Sequence, residues 1–451
     1  MNATRAVERV KVMGGDRQTV SLAGLHLLGE LADRVGLPAG YSAAVPPTGE
    51  RSPVHDRGRL LTQVAMMLAG GGRCVADLAA LRDQPGLFGE VASAATVWRT
   101  FDRIDPVVLD GLRAARAKAR VAVWAADPAP AEIVLDVDAS LVEIHSENKE
   151  RAASHFKRGY GFHPMFCFTE HGEALAGILR SGYAAANSGA DQLAVVDMAL
   201  AQLPAEHRSG HQRSDAPAEI ARRVVVRADS AGAVRAFIDG LVERNCEFSV
   251  TARTSDTLAV AINSLAPDAW QTAQHVTADA RRRRAQVAEL DVSLSGWPEG
   301  TRAIVRRERA HPGAQLRFWD HNGWRHQVVL TNSVGDPLVL EARHRRHDQV
   351  ENHIRNLKDC GLERMPFASF DANAAWLEMI LTAADLLSWC RRLCLTGDLA
   401  RAEPRTLRYR LLHVGARLVH SARQVRLRLP EHWPWANDLN QAYRRLALLG
   451  T

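Results

Sequence analysis

Between residues 131 and 253 the chain alternates short apolar segments with amphipathic ones, and few folds accommodate such a pattern. The segments that predict strands are EIVLDVDASLVEI, GFHPMFCFTE, EALAGILRSG, RRVVVRA and CEFSVTART. Those with helical spacing are ADQLAVVDMALAQL and AVRAFIDGLVERN. Strands that alternate with helices predict an α/β fold built around a central sheet.

On the N-terminal side of this block the apolar residues have helical spacing. RLLTQVAMMLAGGG predicts a helix that ends at its glycines, and CVADLAALRDQ and SAATVWRTFDRI predict two more helices, the last with Ser93 as its N-cap. Two short helices around the turn at Pro85–Gly86 fit a DNA-binding helix-turn-helix. They fit a plain helical bundle equally well, so both interpretations stay open.

The chain carries more positive than negative charge, and the excess lies near its C-terminal end. Among 451 residues, 57 are Lys or Arg and 51 are Asp or Glu, and only five of the basic residues are Lys. From residue 391 onward there are twelve Arg and four acidic residues, a net charge of +8 against +6 for the whole chain. Because Arg binds phosphate in bidentate fashion, a nucleic-acid partner is one explanation. A solvated helical surface is the other.

Composition excludes several classes of protein. The hydrophobic fraction of 46% is that of a globular protein, and no apolar run approaches the roughly 20 residues of a membrane helix. The N-terminal residues lack the apolar core of a signal peptide, so we expect a cytoplasmic protein that does not contact a membrane. The six cysteines form no CxxC pair, so we expect neither a zinc site nor a disulfide framework.

Two strand segments carry carboxylates in unusual places. In IVLDVDAS, Asp136 and Asp138 lie two residues apart and therefore project from one face of the strand. A bound cation would explain such a pair, and an edge strand with solvated acids is the alternative. Asp229 follows the apolar segment VVVRA, at the strand end where α/β proteins bind ligands. Alternatively, Asp229 or Ser230 only caps the next helix.

A third carboxylate lies on the predicted helix RHDQVENHIRNLKDCGL. Its apolar residues form one stripe, and Glu351, Arg355 and Lys358 form the stripe beside it. A carboxylate followed by two cations can hold a metal and grip a phosphate backbone, and a surface ion pair is the alternative. Asp348 competes with Glu351, which we prefer because it lies nearer the buried edge.

Taken together, the three acids predict more than each does alone. Two strand-borne Asp and a helix-borne Glu in a basic protein fit a site for two metal ions. Carboxylate oxygens suit Mg²⁺ or Mn²⁺, and two such ions can activate an attacking oxygen and stabilise a leaving one. The reaction predicted in this way is hydrolysis and transfer at DNA phosphodiesters.

Several longer motifs follow one another in order along nearly the whole chain. They are LAGGGRCVADLAALRDQP with SAATVWRTFDRI, VLDVDAS, GYGFHPMFCF, VVRADSAG, VENHIRNLKDCGLERMP with FDANAAW, and VRLRLPEHWPWA. In this order and spacing they resemble the DDE transposases of bacterial insertion sequences, in the family numbered thirteen-eighty. The resemblance implies an RNase H-like catalytic core in an α/β fold.

The resemblance also implies roles for single residues. Asp138, in the pattern Asp-x-Ser, matches the first catalytic acid, and Asp229 and Glu351 match the second and third; Asp136 is then only a neighbour. Lys358 matches the Lys of the wider group's Tyr-Arg-Glu-Lys signature. The chain departs from that signature because His344 and His347 stand at the Tyr and Arg positions.

Further DNA contacts are implied less sharply. Arg343 or Arg346 replaces the signature's Arg as the phosphate contact in this interpretation. Related enzymes stack a Trp of the β-rich insertion on a flipped base. The insertion here, built from GWPEGTRAIVRRERA, QLRFWDHNGW and RHQVVLTN, carries three such residues. They are Trp297, Trp319 and Trp324, with core packing as the alternative for each.

The domain organisation and the function follow from the resemblance as expectations. The expected regions are a helical N-terminal DNA-binding region (1–125), the first part of the core (126–253), the β-rich insertion (254–340), the second part of the core (341–398) and a basic helical C-terminal region (399–451). The helix over residues 96–103 would read the element's terminal inverted repeats in double-stranded DNA, and two metal ions would support cleavage and transfer to target DNA.

Joining two DNA ends implies a homodimer. Two other functions stay open from the sequence alone. One is a catalytically inactive or domesticated DNA-binding relative, and the other is a metal-dependent nuclease without strand transfer.

Overall fold

The N-terminal region consists mainly of helices, preceded by one short strand. The structure is a computed structural model, and it describes residues 14–45, 54–127, 130–144, 146–155, 159–253, 255–274, 285–310, 320, 323–421 and 424–449. The elements are β1 (Thr19–Val20), α1 (His26–Arg34), α2 (Leu37–Ala44), α3 (Arg57–Ala69), α4 (Ala79–Arg82), α5 (Pro85–Phe88), α6 (Ala94–Phe101) and α7 (Pro106–Ala126). The predicted helices are confirmed, and the predicted turn at Pro85–Gly86 is the start of the single-turn helix α5.

Local sequence explains where these helices begin and end. The backbone N–H of Thr96 donates to Ser93 Oγ over 3.3 Å, so Ser93 is the N-cap of α6, as predicted. Helix α3 ends at Gly70, the first glycine of the run that follows it. Most residues of α3 are buried, which places this helix inside the bundle.

The block from residue 131 to residue 253 folds as the predicted mixture of strands and helices. Its strands are β2 (Ile133–Ala139), β3 (Val142–Ile144), β4 (Ala153–Ser154), β5 (Tyr160–Phe162), β6 (Met165–Thr169), β7 (Ala174–Ile178), β8 (Val224–Ala228) and β9 (Glu247–Thr251). Its helices are α8 (Gly189–Gln202), α9 (Ala205–Arg208) and α10 (Arg235–Val242). The strands are arranged in the order β7-β6-β2-β8-β9. Strands β2, β8 and β9 are parallel to one another, and β6 is antiparallel to both of its neighbours, β2 and β7.

The next segment extends this sheet rather than forming a separate one. It contains α11 (Asp256–Ser264), β10 (Gln271–Thr272), β11 (Gln286–Leu290), β12 (Arg302–Arg309) and β13 (Trp324–Thr331). Strand β13 pairs antiparallel with β9, and β12, β11 and β10 follow outward. The described residues therefore form a nine-stranded mixed sheet. The strands predicted in GWPEGTRAIVRRERA and RHQVVLTN are confirmed as β12 and β13, whereas QLRFWDHNGW lies mostly outside the described residues. The segment begins with a helix, which was not predicted.

The C-terminal part returns to helices and packs against the N-terminal ones. Its elements are α12 (Pro337–Arg345), α13 (Gln349–Leu357), α14 (Phe370–Cys394), α15 (Pro404–Leu407), β14 (Ala416–Ser421), β15 (Gln424–Arg428) and α16 (Ala436–Leu448). Helix α14 is buried along most of its length between the N-terminal helices and β7. Cys390 and Cys394 lie on α14 and are buried, which agrees with core packing.

The C-terminal region is helical at α15 and α16, as predicted, but it also contains strands that were not predicted. Strands β14 and β15 pair as an antiparallel hairpin, and β1 from the N-terminal end adds a third strand. The alternation of apolar and basic residues in ARLVHS and QVRLR has the two-residue period of a strand. Leu418 is 5% exposed, whereas its neighbour Arg417 is exposed. Only the pairing with β1 spans almost 400 residues, so the hairpin itself has a local signal that the helical prediction did not use.

A buried ion network joins the N-terminal helices to the sheet. Arg116 Nε lies 2.6 Å from Glu378 Oε1, and its Nη1 lies 2.7 Å from Asp385 Oδ2. Arg120 pairs with the same Asp385 and with Glu173, at 2.9 Å for Arg120 Nε and Glu173 Oε2. Both Arg side chains are at most 1% exposed. Buried charges are tolerated only when paired, so this network fixes α7 against α14 and β7.

Candidate active site at the ends of two parallel strands

Asp138 and Asp229 lie side by side at one edge of the sheet. Strands β2 and β8 are parallel neighbours, and Val137 stands opposite Ala228 in their register. The next residue on each strand is therefore an aspartate. Asp138 is partly buried and Asp229 is exposed. The carboxyl ends of parallel strands thus bring together two acids that are 91 residues apart in sequence.

Glu351 completes the group from helix α13. Val350, Ile354 and Leu357 are at most 6% exposed and turn one side of α13 toward the core, while Glu351 is exposed on the adjacent side. Burial, reinforced by the negative charges of Asp229 and Glu351, raises the pKa of the Asp138 carboxyl to about 6. The three acids selected from the sequence therefore interact electrostatically. Asp348, the competing acid, is exposed at the start of α13.

Asp136 is engaged differently from Asp138. Its carboxylate is fully buried and accepts hydrogen bonds from Arg227 Nε and Nη2 at 2.8 and 2.7 Å. His347 Nδ1 lies 2.7 Å from Asp136 Oδ1. Burial alone would raise the pKa of Asp136, but the hydrogen bonds of His347 and Arg227 outweigh it and hold this pKa below its usual value. Asp136 is thus a structural carboxylate, in line with its expected role as a neighbour.

The two histidines at the signature positions are buried behind the acids. His344 is 4% exposed, with Nδ1 2.9 Å from Ser249 Oγ and Nε2 3.0 Å from Thr251 Oγ1. Burial, helped by the charges of His347 and Arg227, lowers the pKa of His344 to about 3. His344 is therefore neutral and links α12 to β9, whereas His347 links the start of α13 to β2 through Asp136.

The four predicted phosphate contacts divide into two groups. Arg343 donates to Glu132 Oε2 at 3.0 Å, and Arg346 lies 3.2 Å from Glu170 Oε1. Glu132 precedes β2, and Glu170 bonds to the backbone of Val134 near its start. Arg343 and Arg346 therefore lie toward the opposite end of β2 from Asp138.

Arg355 lies on the same stripe of α13 as Glu351, and Lys358 directly follows the helix in line with this stripe. Arg355 is exposed and Lys358 is half-buried. Neither forms an ion pair with any described residue. Two unneutralised cations thus stand beside the third acid, as the stripe predicted from the sequence requires.

The tryptophans of the insertion have different surroundings. Trp297 is half-buried, with its ring centroid 6.3 Å from that of Phe248, so it packs at the edge of the core. Trp324 is half-buried beneath the guanidinium groups of Arg307 and Arg309, at 4.7 and 4.1 Å from its ring centroid. Trp319, also predicted to contact DNA, lies outside the described residues.

The chemistry of the three acids fits divalent cations. No described cation forms an ion pair with Asp138, Asp229 or Glu351, so their repulsion is largely uncompensated. A divalent cation would relieve this repulsion, which adds to the effect of burial on the pKa of Asp138. Within the described residues, however, no three acidic, His or Cys side chains are already drawn together as a metal site. Ion binding would therefore require movement of these side chains.

One comparison decides the family. A model described as transposase DDE domain, group 1, matches residues 3–451. The chain belongs to the DDE transposase domain family. Members of this family are transposases, which are the enzymes of mobile elements that carry out DNA transposition. No curated protein sequence matches the chain. In the described part of this DDE domain, none of the helices combines the length and apolar character of a membrane-spanning segment.

The sequence analysis missed Arg227, the cation that pairs with only one of the two aspartates of β2. Arg227 stands opposite Asp136 in the register of β2 and β8 and is fully buried. Both residues interrupt apolar strands with opposite charges, and a buried charge needs a partner. An acid in one apolar strand and a base in another were therefore the sequence signal that could have distinguished Asp136 from Asp138.

Proposed function

We propose that the chain is a DNA transposase of the insertion-sequence family numbered thirteen-eighty. In this proposal it binds the terminal inverted repeats of its element, cuts the DNA ends and joins their 3′ hydroxyls to target DNA. The observation that carries the proposal is that Asp138 and Asp229 follow neighbouring parallel strands, with the charge of Glu351 acting on Asp138. The order β7-β6-β2-β8-β9 is that expected of an RNase H-like core, with β10–β13 as its insertion.

Asp138, Asp229 and Glu351 are the residues that would hold two Mg²⁺ or Mn²⁺ ions. When bound, these ions supply charge for the attacking and leaving oxygens of a phosphodiester. The protein groups around the three acids keep these acids in position. Arg227 and His347 fix Asp136 and thereby hold β2 in register with β8, which keeps Asp138 next to Asp229. Such support keeps reacting groups within the narrow geometry that transfer requires.

Arg355 and Lys358 would bind DNA phosphates next to the acids. Their location on the Glu351 stripe and their lack of described ion-pair partners support this role. Contacts to phosphate fix the register of DNA but carry no base information. In this proposal they align the bond to be cut with the three carboxylates.

Recognition of the repeats is assigned to the N-terminal helices. Arg99 and Arg103 are exposed on α6 and just after it, while Trp98 packs on Phe367 with ring centroids 4.4 Å apart. This packing holds α6 against the core and leaves its basic side to solvent. The exposed arginines of β14 and β15 would add salt-dependent affinity without sequence preference. Joining two ends implies a homodimer when DNA is bound.

The test uses the purified chain and a plasmid that carries the DNA flanking its own gene. We expect cleavage at the element's ends in Mg²⁺ or Mn²⁺, and strand-transfer products when target DNA is added. Asp229→Asn should abolish both. Asp239→Asn is the matched control, because Asp239 is an exposed aspartate on α10 that pairs with Arg235.

Three outcomes separate the possible functions. Cleavage with transfer products, lost in Asp229→Asn alone, supports the transposase. Cleavage without transfer products identifies a nuclease with the same acids. Tight binding to the ends with no cleavage in either metal overturns the enzymatic proposal in favour of a DNA-binding relative.

A further inference from the structure

A polar cavity lies on the side of α13 that faces away from Glu351. Its volume is about 570 Å³, within the range of small-molecule sites. Asn352, His353 and Asn356 of α13 form one wall, and Arg391 of α14 lines the opposite side. The helix separates this wall from the Glu351 stripe, because successive residues turn by about 100° around the axis. The cavity is therefore distinct from the three acids.

Arg391 is a cation without a counter-charge in the described structure. Among the described residues, the only hydrogen bond of its guanidinium is a long one, 3.4 Å from Nη1 to Ala402 O. Burial lowers the pKa of its guanidinium, as expected for a charge removed from water. The neighbouring Arg392, in contrast, pairs with Asp127 and Glu173.

The acids around the cavity do not neutralise Arg391. Asp127 and Glu173 are taken by Arg392, and Glu403 is exposed at the rim without an ion pair to Arg391. The C-terminal end of α14 offers some compensation, since a helix end attracts a cation. It offers no hydrogen-bond partner of opposite charge. A largely buried guanidinium in this state lowers stability unless something binds to it.

Asn356 supplies a second polar group. Its side-chain amide lines the cavity and is a neutral donor. His353 lies beside it, and its buried Nε2 has no hydrogen-bond partner among the described residues. A donor and one uncompensated cation thus meet around a single space.

We infer that this cavity binds a phosphate group, with Arg391 as its charged partner and Asn356 as a neutral donor. Phosphate offers several acceptor oxygens and matches the planar fork of Arg. The phosphate has two possible sources, a phosphodiester of bound DNA or a free phosphate compound. If it belongs to DNA, the inference rests on the proposed function, and α13 then contacts the strand on both of its sides.

The first test measures thermal unfolding of the full chain with and without inorganic phosphate. Wild type should show a saturable rise in Tm of about 1–3 °C, because a ligand that binds only the folded state stabilises it. Arg391→Met should not respond to phosphate. It should also unfold at a higher temperature than wild type without phosphate, because the unpaired charge is gone.

Matched variants keep this test decisive. Arg401→Met removes an exposed Arg at the rim of the same cavity and should respond to phosphate like wild type. Asp229→Asn should also respond like wild type, so loss of cleavage and loss of phosphate binding are separable. An equal rise in wild type and Arg391→Met, or no rise in wild type, overturns the inference. A lower Tm of Arg391→Met without any phosphate effect assigns Arg391 to structure alone.

The second test identifies the source of the phosphate. The affinity for a short DNA duplex is measured at several salt concentrations for wild type and Arg391→Met. A DNA source predicts that the variant binds about ten-fold more weakly, with a salt slope reduced by about one. A free phosphate source predicts unchanged DNA binding together with the lost thermal response. If neither measurement distinguishes the two proteins, the cavity is not a phosphate site.

Discussion

Asp136 and Asp138 lie two residues apart on β2, yet only Asp136 is bound by a guanidinium. Arg227 donates two hydrogen bonds to Asp136, whereas no described cation forms an ion pair with Asp138. The neutralised acid is fully buried, and the other lies at the end of the strand beside Asp229. The presence of one cation, Arg227, therefore makes Asp136 a structural carboxylate, whereas Asp138 has no such partner among the described residues and can bind a ligand.

The first prediction concerns the Arg227–Asp136 pair. Arg227→Met should lower the free energy of unfolding by about 3–5 kcal/mol, because it leaves the buried Asp136 charge without its partner. Urea unfolding followed by tryptophan fluorescence measures the change. Arg235→Met removes an exposed pair with Asp239 and should change stability by less than about 1 kcal/mol. Equal losses in the two variants would show that Asp136 does not depend on Arg227.

The second prediction follows from the pKa of Asp138, which rises from 3.8 to about 6 on folding. A carboxyl with a raised pKa binds its proton more tightly in the folded state. Its contribution to stability is thus full below about pH 4, falls as pH rises to about 6 and stays low above. In metal-free buffer at pH 7.5, Asp138→Asn should therefore be more stable than wild type, by at most about 3 kcal/mol.

The pH dependence is its own control. At pH 4 wild-type Asp138 is already protonated and resembles Asn, so the two proteins should unfold alike. Urea titrations at both pH values give the two differences. A difference of the same size at pH 4 and pH 7.5 would contradict the assigned pKa.

Much of the fold was predictable because its elements are locally encoded. The alternation from residue 131 to residue 253 gave strands β2, β6, β7, β8 and β9, and Ser93 marked the start of α6. The β14–β15 hairpin was missed although the two-residue alternation of ARLVHS and QVRLR is a local pattern of paired strands. Only the pairing with the third strand, β1, is long-range, because β1 comes from the other end of the chain.

The candidate site was predictable in its acids but not in its support. Strand ends and the stripe on α13 selected Asp138, Asp229 and Glu351, and the register of β2 and β8 places the first two together. The positions of Arg343 and Arg346 depend on contacts with Glu132 and Glu170 across the fold. A pattern in one segment carries no information on such contacts, so these two residues could not be placed from sequence.

The third prediction distinguishes Glu351 from Asp348 as the third acid. Glu351→Gln should reduce end cleavage by more than about 100-fold, which exceeds what loss of an outer partner of a metal ligand typically causes. The cleavage rate of Asp348→Asn should stay within a few-fold of the wild-type rate, because Glu351, and not Asp348, is the helix acid whose charge acts on Asp138. Single-turnover cleavage in Mg²⁺ measures both variants. The reverse order of effects would make Asp348 the functional acid.

The fourth prediction concerns the cations beside Glu351. Arg355→Gln should weaken binding to specific and unrelated duplexes by the same factor and reduce the salt slope by about one, because a phosphate contact carries no base information. Arg213→Gln is the control, since Arg213 is exposed outside the regions assigned to DNA binding and is already paired with Glu243. Fluorescence anisotropy over a range of salt concentrations measures the slopes. A loss of affinity confined to the terminal repeats would instead assign Arg355 to base recognition, and an unchanged slope would remove it from the DNA interface.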